Sequence, residues 1–158
     1  MSWQKIRKRL RDLWVPEITK ELDISIARYR KSGVWDDLRK VTFSYKKESV
    51  FIISDSEDWE RCVKEFQMYR LYLNQDSELI KKADQLGYYD VDRFYLLTNE
   101  YINDLNIEKV FETNVLLFQI YAILDRRVGK RTLKKNMELI EANSILKNFY
   151  NIRINASK

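Results

Sequence analysis

Two runs, Leu22-Asp23-Ile24-Ser25-Ile26-Ala27 and Val41-Thr42-Phe43-Ser44-Tyr45, decide the fold. In both, apolar and polar residues alternate with a period of two, the spacing of a strand with one face buried; the first strand ends near Tyr29. A third run, Val50-Phe51-Ile52-Ile53, is β-branched and aromatic, and Lys46, Lys47 and Glu48 before it suit a hairpin. These runs predict a three-stranded antiparallel sheet. The loop at residues 31–40 carries Gly33 and Trp35 beside Asp36 and Asp37. A tryptophan in so polar a loop either folds back onto the core or stands out as an interface anchor.

Toward the C-terminus the period changes to three and four. Ser54 and Glu57 have the spacing of a capping box, ahead of a helix carrying Trp59, Val63, Phe66, Arg70 and Leu73, with Cys62 beside the stripe. A second helix starts at Ser77 and stops at Gly87, with Leu79, Ile80, Ala83 and Leu86 inward. Asp90 caps a third that carries Phe94, Leu97, Tyr101 and Leu105, and a short helical piece follows at residues 107–112. Asn114 is the expected N-cap of the most apolar helix, residues 115–128, which Gly129 then breaks or bends. Residues 133–140 and 145–152 form two further amphipathic pieces, the second capped by Ser144. Before the sheet, Trp3, Ile6, Leu10 and Leu13 recur at helical spacing behind Ser2 as N-cap, and Pro16 ends or redirects that helix. A helix, three strands and then five or six helices make a segregated α+β chain. We read one domain over residues 1–158, with a helix and small sheet in 1–53 and a helical part in 54–158.

The chain has 158 residues, 29 Lys+Arg against 24 Asp+Glu, no His and one Cys. One Cys excludes an intramolecular disulfide and suits a reducing compartment. The N-terminus is basic without an apolar segment behind it, so it does not read as a secretory signal, and residues 115–124 are too few to span a bilayer. The cytoplasm is the expected location. Lack of His removes the commonest general base, the Ser-His and Cys-His pairs, and most zinc and haem sites. Three isolated glycines build no phosphate cradle. Glu57, Asp58 and Glu60 lie in a first helical turn, where they complement the macrodipole. The inventory therefore points to no catalytic residues, no cofactor and no metal.

Charge is unevenly placed. Residues 1–15 sum to +4 and residues 125–135 to +5, so with a total of +5 the rest sums to −4: a mildly acidic body with two basic patches. The second patch, Leu124-Asp125-Arg126-Arg127-Val128-Gly129-Lys130-Arg131-Thr132-Leu133, follows directly on the apolar helix. Asp125 there needs a partner, and Arg126, Arg127 or a distant arginine such as Arg153 supplies bidentate bonds. One reading is a clasp that locks the last helices to the apolar one. The other is an anion site in which Arg126, Arg127, Lys130 and Arg131 converge on phosphate or acidic side chains.

The opening Ser2-Trp3-Gln4-Lys5-Ile6-Arg7-Lys8-Arg9-Leu10, the segment Ala122-Ile123-Leu124-Asp125-Arg126-Arg127-Val128-Gly129-Lys130-Arg131 and the ending with Phe149-Tyr150-Asn151-Ile152-Arg153 resemble a family of small bacterial cytosolic proteins of unassigned biochemistry. Residues 55–105 depart from that pattern. A framework at both ends, a divergent middle and no catalytic motif are similar to the immunity proteins that accompany contact-dependent or polymorphic bacterial toxins. What the resemblance implies is a non-enzymatic protein that neutralises a cognate toxin domain through a few anchors and charge complementarity. Candidate partner-binding residues are Trp35, Asp36 and Asp37 in the strand loop, Tyr88 and Tyr89 at a helix turn, and Arg126, Arg127, Lys130 and Arg131. The alternative is a nucleic-acid-binding regulator using Lys5, Lys8, Arg9 and the cations of residues 126–131, although the tyrosines at 69, 72, 88, 89, 95 and 101 lie away from both patches in sequence. Neither reading involves a membrane.

Overall fold

A computed structural model describes residues 2–29, 38–55 and 77–158. The order is α1 (Trp3–Leu13), a 3-10 turn (Pro16–Ile18), β1 (Leu22–Tyr29), β2 (Leu38–Tyr45), β3 (Glu48–Ser54), α2 (Ser77–Leu86), α3 (Val91–Asn103), a second 3-10 turn (Ile107–Glu112), α4 (Leu116–Leu124), α5 (Lys130–Lys135), α6 (Met137–Glu141) and α7 (Ser144–Ala156). This is the expected α+β arrangement. The Trp59–Leu73 stripe, Cys62, Glu57 and the loop residues Gly33, Trp35, Asp36 and Asp37 lie outside the described residues.

The sheet is antiparallel in the order β1-β2-β3, with Ile24 opposite Phe43 and Phe43 opposite Phe51. Leu22, Ile24, Val41, Phe43 and Ile53 are buried, so the period-two alternation has its physical cause in one covered face. The β2–β3 connection is a two-residue turn in which Lys46 and Lys47 both take positive φ (52° and 69°), as a primed hairpin turn requires. Glu48, expected in the turn, already belongs to β3.

At the centre lies α4, whose nine residues are all buried. A helix that is apolar all round must be covered on every side; here α7, α3, α2 and the second 3-10 turn cover it. Phe43 ties the sheet to this bundle through ring contacts with Phe94 (6.3 Å), Tyr121 (6.3 Å) and Phe149 (5.8 Å). Inside, the Thr98 and Tyr121 hydroxyls share a 2.7 Å hydrogen bond, which settles two polar groups that water cannot reach.

Several boundaries differ from expectation. Asn114 adopts φ 54° and stands before the N-cap, which is Val115 with no side-chain hydrogen bond; asparagine is among the few residues that tolerate the left-handed region. α4 stops at Leu124 and not near Val128, because the next residue pairs with another part of the chain, as described below. Asn143 and not Ser144 caps α7, accepting from the Ile145 and Leu146 amides. Residues 130–141 form two short helices that meet at Asn136. Ser2 occupies the N-cap position of α1 without a side-chain bond, whereas Asp90 accepts from the Arg93 amide at 2.6 Å, as a cap should. Leu86, expected inward, is 40% exposed; among the described side chains of α2, Ala83 and Asp84 are buried.

Candidate functional site

The exit of α1 and the exit of α4 meet at a seam. The Val15 amide donates to the Leu124 carbonyl (2.9 Å) and the Arg126 amide to the Leu13 carbonyl (2.8 Å), an antiparallel bridge between Trp14 and Asp125. Asp125 is wholly buried. Its Oδ1 accepts from the Arg127 amide (2.8 Å) and Nε (3.0 Å), and its Oδ2 from Arg127 Nη2 (2.7 Å) and the Tyr101 hydroxyl (2.8 Å). Burial pushes the Tyr101 phenol well above its ordinary range, and the Asp125 charge adds to the shift. Hydrogen bonding to Asp125 raises the Arg127 guanidinium in turn.

Arg153 reaches the same seam from α7. Its Nη1 donates to the Ile123 (2.8 Å) and Asp125 (3.1 Å) carbonyls, and its Nη2 to the Val128 carbonyl (2.6 Å). The last carbonyls of a helix have no partner within it, and a cation there also meets the negative end of the dipole. Of the three arginines considered for Asp125, then, Arg127 holds the carboxylate, Arg153 holds the backbone, and the Arg126 side chain is exposed. The clasp accounts for Asp125, Arg127 and Arg153. Trp14 is 2% exposed beside it, and its Nε1 is the one buried side-chain donor among the described residues without an acceptor.

Arg126, Lys130 and Arg131 stand at the surface of this braced corner, with Lys134 and Lys135 one turn on. Among the described residues none of the five has an ion-pair partner. Between α7 and α5 the corner borders a cleft of about 520 Å³, lined on its polar side by Glu17, Lys130, Lys134, Tyr150 and Arg153. The N-terminal patch is different. Arg7 is paired to Asp23 (2.6 Å), Arg9 donates to Asn103 Oδ1 (2.6 Å) and Arg11 to the Thr19 carbonyl, so much of that patch is engaged in holding α1 down.

Two further candidates, Tyr88 and Tyr89, stand between α2 and α3. Tyr88 is half-buried at the α2–α3 turn. Tyr89 is 1% exposed, donates to the Asp84 carbonyl (2.7 Å) and accepts from the Leu117 amide (3.1 Å). A ring so enclosed offers no contact area, and Tyr89 belongs to the core. Arg127 is committed to Asp125. Sequence reasoning also missed a joint between the sheet and α3, in which Arg39 binds Asp55 (3.1 Å) and Asp92 (2.8 Å) and Asp55 accepts from the Val91 amide (2.9 Å), and a pair between α3 and α2, Arg93 with Asp84. No spacing signals these pairs, since three elements contribute them. Bonding to Arg39 holds Asp92 below the usual carboxylate range. Burial, with Asp92 and Asp55 nearby, raises Asp90 above it. Among the described residues no three His, Cys, Asp or Glu side chains gather as a metal site would, and no helix is long and apolar enough to cross a membrane.

The chain belongs to the SF0329 protein family, whose pattern matches residues 2–154. The matched span takes in α1, the seam at Asp125 and Arg153. Neither the curated proteins nor the solved structures provide a match.

Proposed function

We propose that this member of the SF0329 family is a non-enzymatic protein-binding protein of the bacterial cytosol, and more concretely an immunity protein that binds and neutralises a cognate toxin domain. The observation that carries the reading is the division of labour in residues 125–131. Asp125 and Arg127 are absorbed in the clasp, which leaves Arg126, Lys130 and Arg131 outward and unpaired among the described residues, on backbone anchored to α1 and α7. A rigid frame that presents unpaired cations suits recognition of an acidic protein surface: little side-chain support is lost on docking, and complementary charge speeds encounter. Of the N-terminal cations that the nucleic-acid alternative calls on, Arg9 is bonded to Asn103 while Lys5 and Lys8 stay exposed, so the two readings are separated by the salt dependence of binding.

The test is co-expression of the chain with the toxin domain encoded beside it in its own genome. Growth should be restored by the unaltered chain, and the Arg126→Glu/Arg131→Glu variant should lose protection while keeping its circular dichroism spectrum and melting temperature. Protection unaffected by both charge reversals would remove the corner from the interface. Binding to a DNA or RNA duplex that weakens with salt at a log–log slope of roughly −3 or steeper would favour the regulator instead.

A further inference from the structure

The cleft between α7 and α5 contains a largely buried cation, Arg153, with no carboxylate at ion-pair distance among the described residues. Arg153 is 8% exposed, and its three hydrogen bonds all go to carbonyl oxygens. A guanidinium has five N–H donors; the Nε–H of Arg153 has no protein acceptor among the described residues and, unlike the enclosed Nε1 of Trp14, is reached by solvent. Lys130 and Lys134 flank it, neither in an ion pair among the described residues, and Glu17 stands on the rim outside ion-pair distance of all three. Burial lowers the Arg153 pKa from its ordinary value, with Asp125 and Glu17 opposing that shift. A desolvated cation of this kind is ordinarily matched by a counter-charge. On its other side the cleft is apolar, formed by Val15, Met137 and Ile154, and its volume of about 520 Å³ falls in the range of small-molecule sites.

We propose that this cleft is a binding site for a small organic anion, a phosphate monoester or carboxylate whose charged end lies against Arg153, Lys130 and Lys134 and whose carbon body rests on Val15, Met137 and Ile154. The proposal shares Lys130 with the toxin-binding reading, but Arg126 and Arg131, the positions that test that reading, do not line the cleft, so each can fail without the other.

Titration calorimetry of the whole chain with phenyl phosphate and with inorganic phosphate tests it. Phenyl phosphate should bind saturably at one site and more tightly than inorganic phosphate, since only the former uses the apolar wall. Lys130→Gln/Lys134→Gln should weaken phenyl phosphate by roughly tenfold or more, as expected when two charge-assisted hydrogen bonds are removed. Glu17→Gln should tighten it, because it removes the one carboxylate on the rim. All three positions line the surface, so folding is checked by an unchanged melting temperature without ligand. No binding of either probe at about 10 mM, where even a millimolar site would fill, or binding indifferent to all these substitutions, overturns the proposal.

Discussion

Asp125 and the arginines around it show how neighbours of one type take unrelated duties. Arg127 closes a bidentate pair on a carboxylate that has no access to water, whereas Arg126 contributes its amide to the seam and leaves its side chain outside. Replacing Asp125 by Asn keeps the shape but turns an acceptor toward Arg127 into a donor and removes the charge, so we expect a loss of about 2–3 kcal/mol in urea unfolding. Tyr101→Phe removes only one of the bonds to Oδ2 and should cost about 1 kcal/mol. Arg126→Ala should leave the unfolding midpoint where it is, and a large shift there would mean that the clasp runs through the wrong arginine. That Asp125 needs a cation was legible, since a carboxylate directly after an apolar helix has few other ways to be accommodated. That Arg153 would serve carbonyls was not, because the need of a helix end is carried by its backbone and leaves no mark in side-chain spacing.

At the scale of elements, two glycines make a controlled comparison. Gly87 ends α2 at φ 80°, and a Cβ there would stand 2.5 Å from Leu116 Cδ2 at the start of α4. Gly129 precedes α5 at φ −77°, with nothing within 4 Å of such an atom. Gly87→Ala combines a left-handed strain with a clash in the core and should lower stability by at least about 1 kcal/mol. Gly129→Ala should be close to neutral, since reduced freedom of the unfolded chain offsets the poorer cap; thermal melts of the two variants check the contrast. The strands and the Asp90 cap were readable because period and capping chemistry are local. The ends of α4 were not: the apolar pattern runs on to Val128, but pairing of Trp14 with Asp125 takes the backbone out of the helix four residues earlier. Leu86, in the last turn of α2, is 40% exposed although its spacing continues the apolar stripe, and nothing in the structure explains the departure.

Over the whole molecule, two polar joints brace the fold: the seam at Asp125, which ties helices to one another, and the Arg39 pairs with Asp55 and Asp92, which tie the sheet to α3. The second joint makes stability depend on pH in two opposed ways. Asp92 lies below the ordinary carboxylate range, so its contribution is present above that range and is lost as pH falls through it. Asp90 lies above the range, so the folded chain holds its proton longer than the unfolded one, and stability declines as pH rises through that window. Asp90→Asn, which still caps α3, should therefore gain on the wild type between about pH 3 and pH 7 in thermal melts. Asp92→Asn should lose by less than about 1 kcal/mol at about pH 7, its carboxylate being exposed, and the difference from the wild type should shrink as pH falls through and below the carboxylate range. Equal pH profiles for all three proteins would mean that neither carboxylate is shifted. The uneven charge along the chain was legible in the sequence; which of its cations are engaged within the fold was not, because the partners of Arg7, Arg9 and Arg11 come from β1, α3 and the first 3-10 turn region.

The seam also sets an order of events during synthesis. Residues 13–15 leave the ribosome long before residues 124–126, yet their amides and carbonyls are bonded to one another. The exit of the first helix thus stays unpaired until residue 126 has been made, although Asp23 and Asn103, which hold its body, come earlier, and Trp14 is available meanwhile to chaperones.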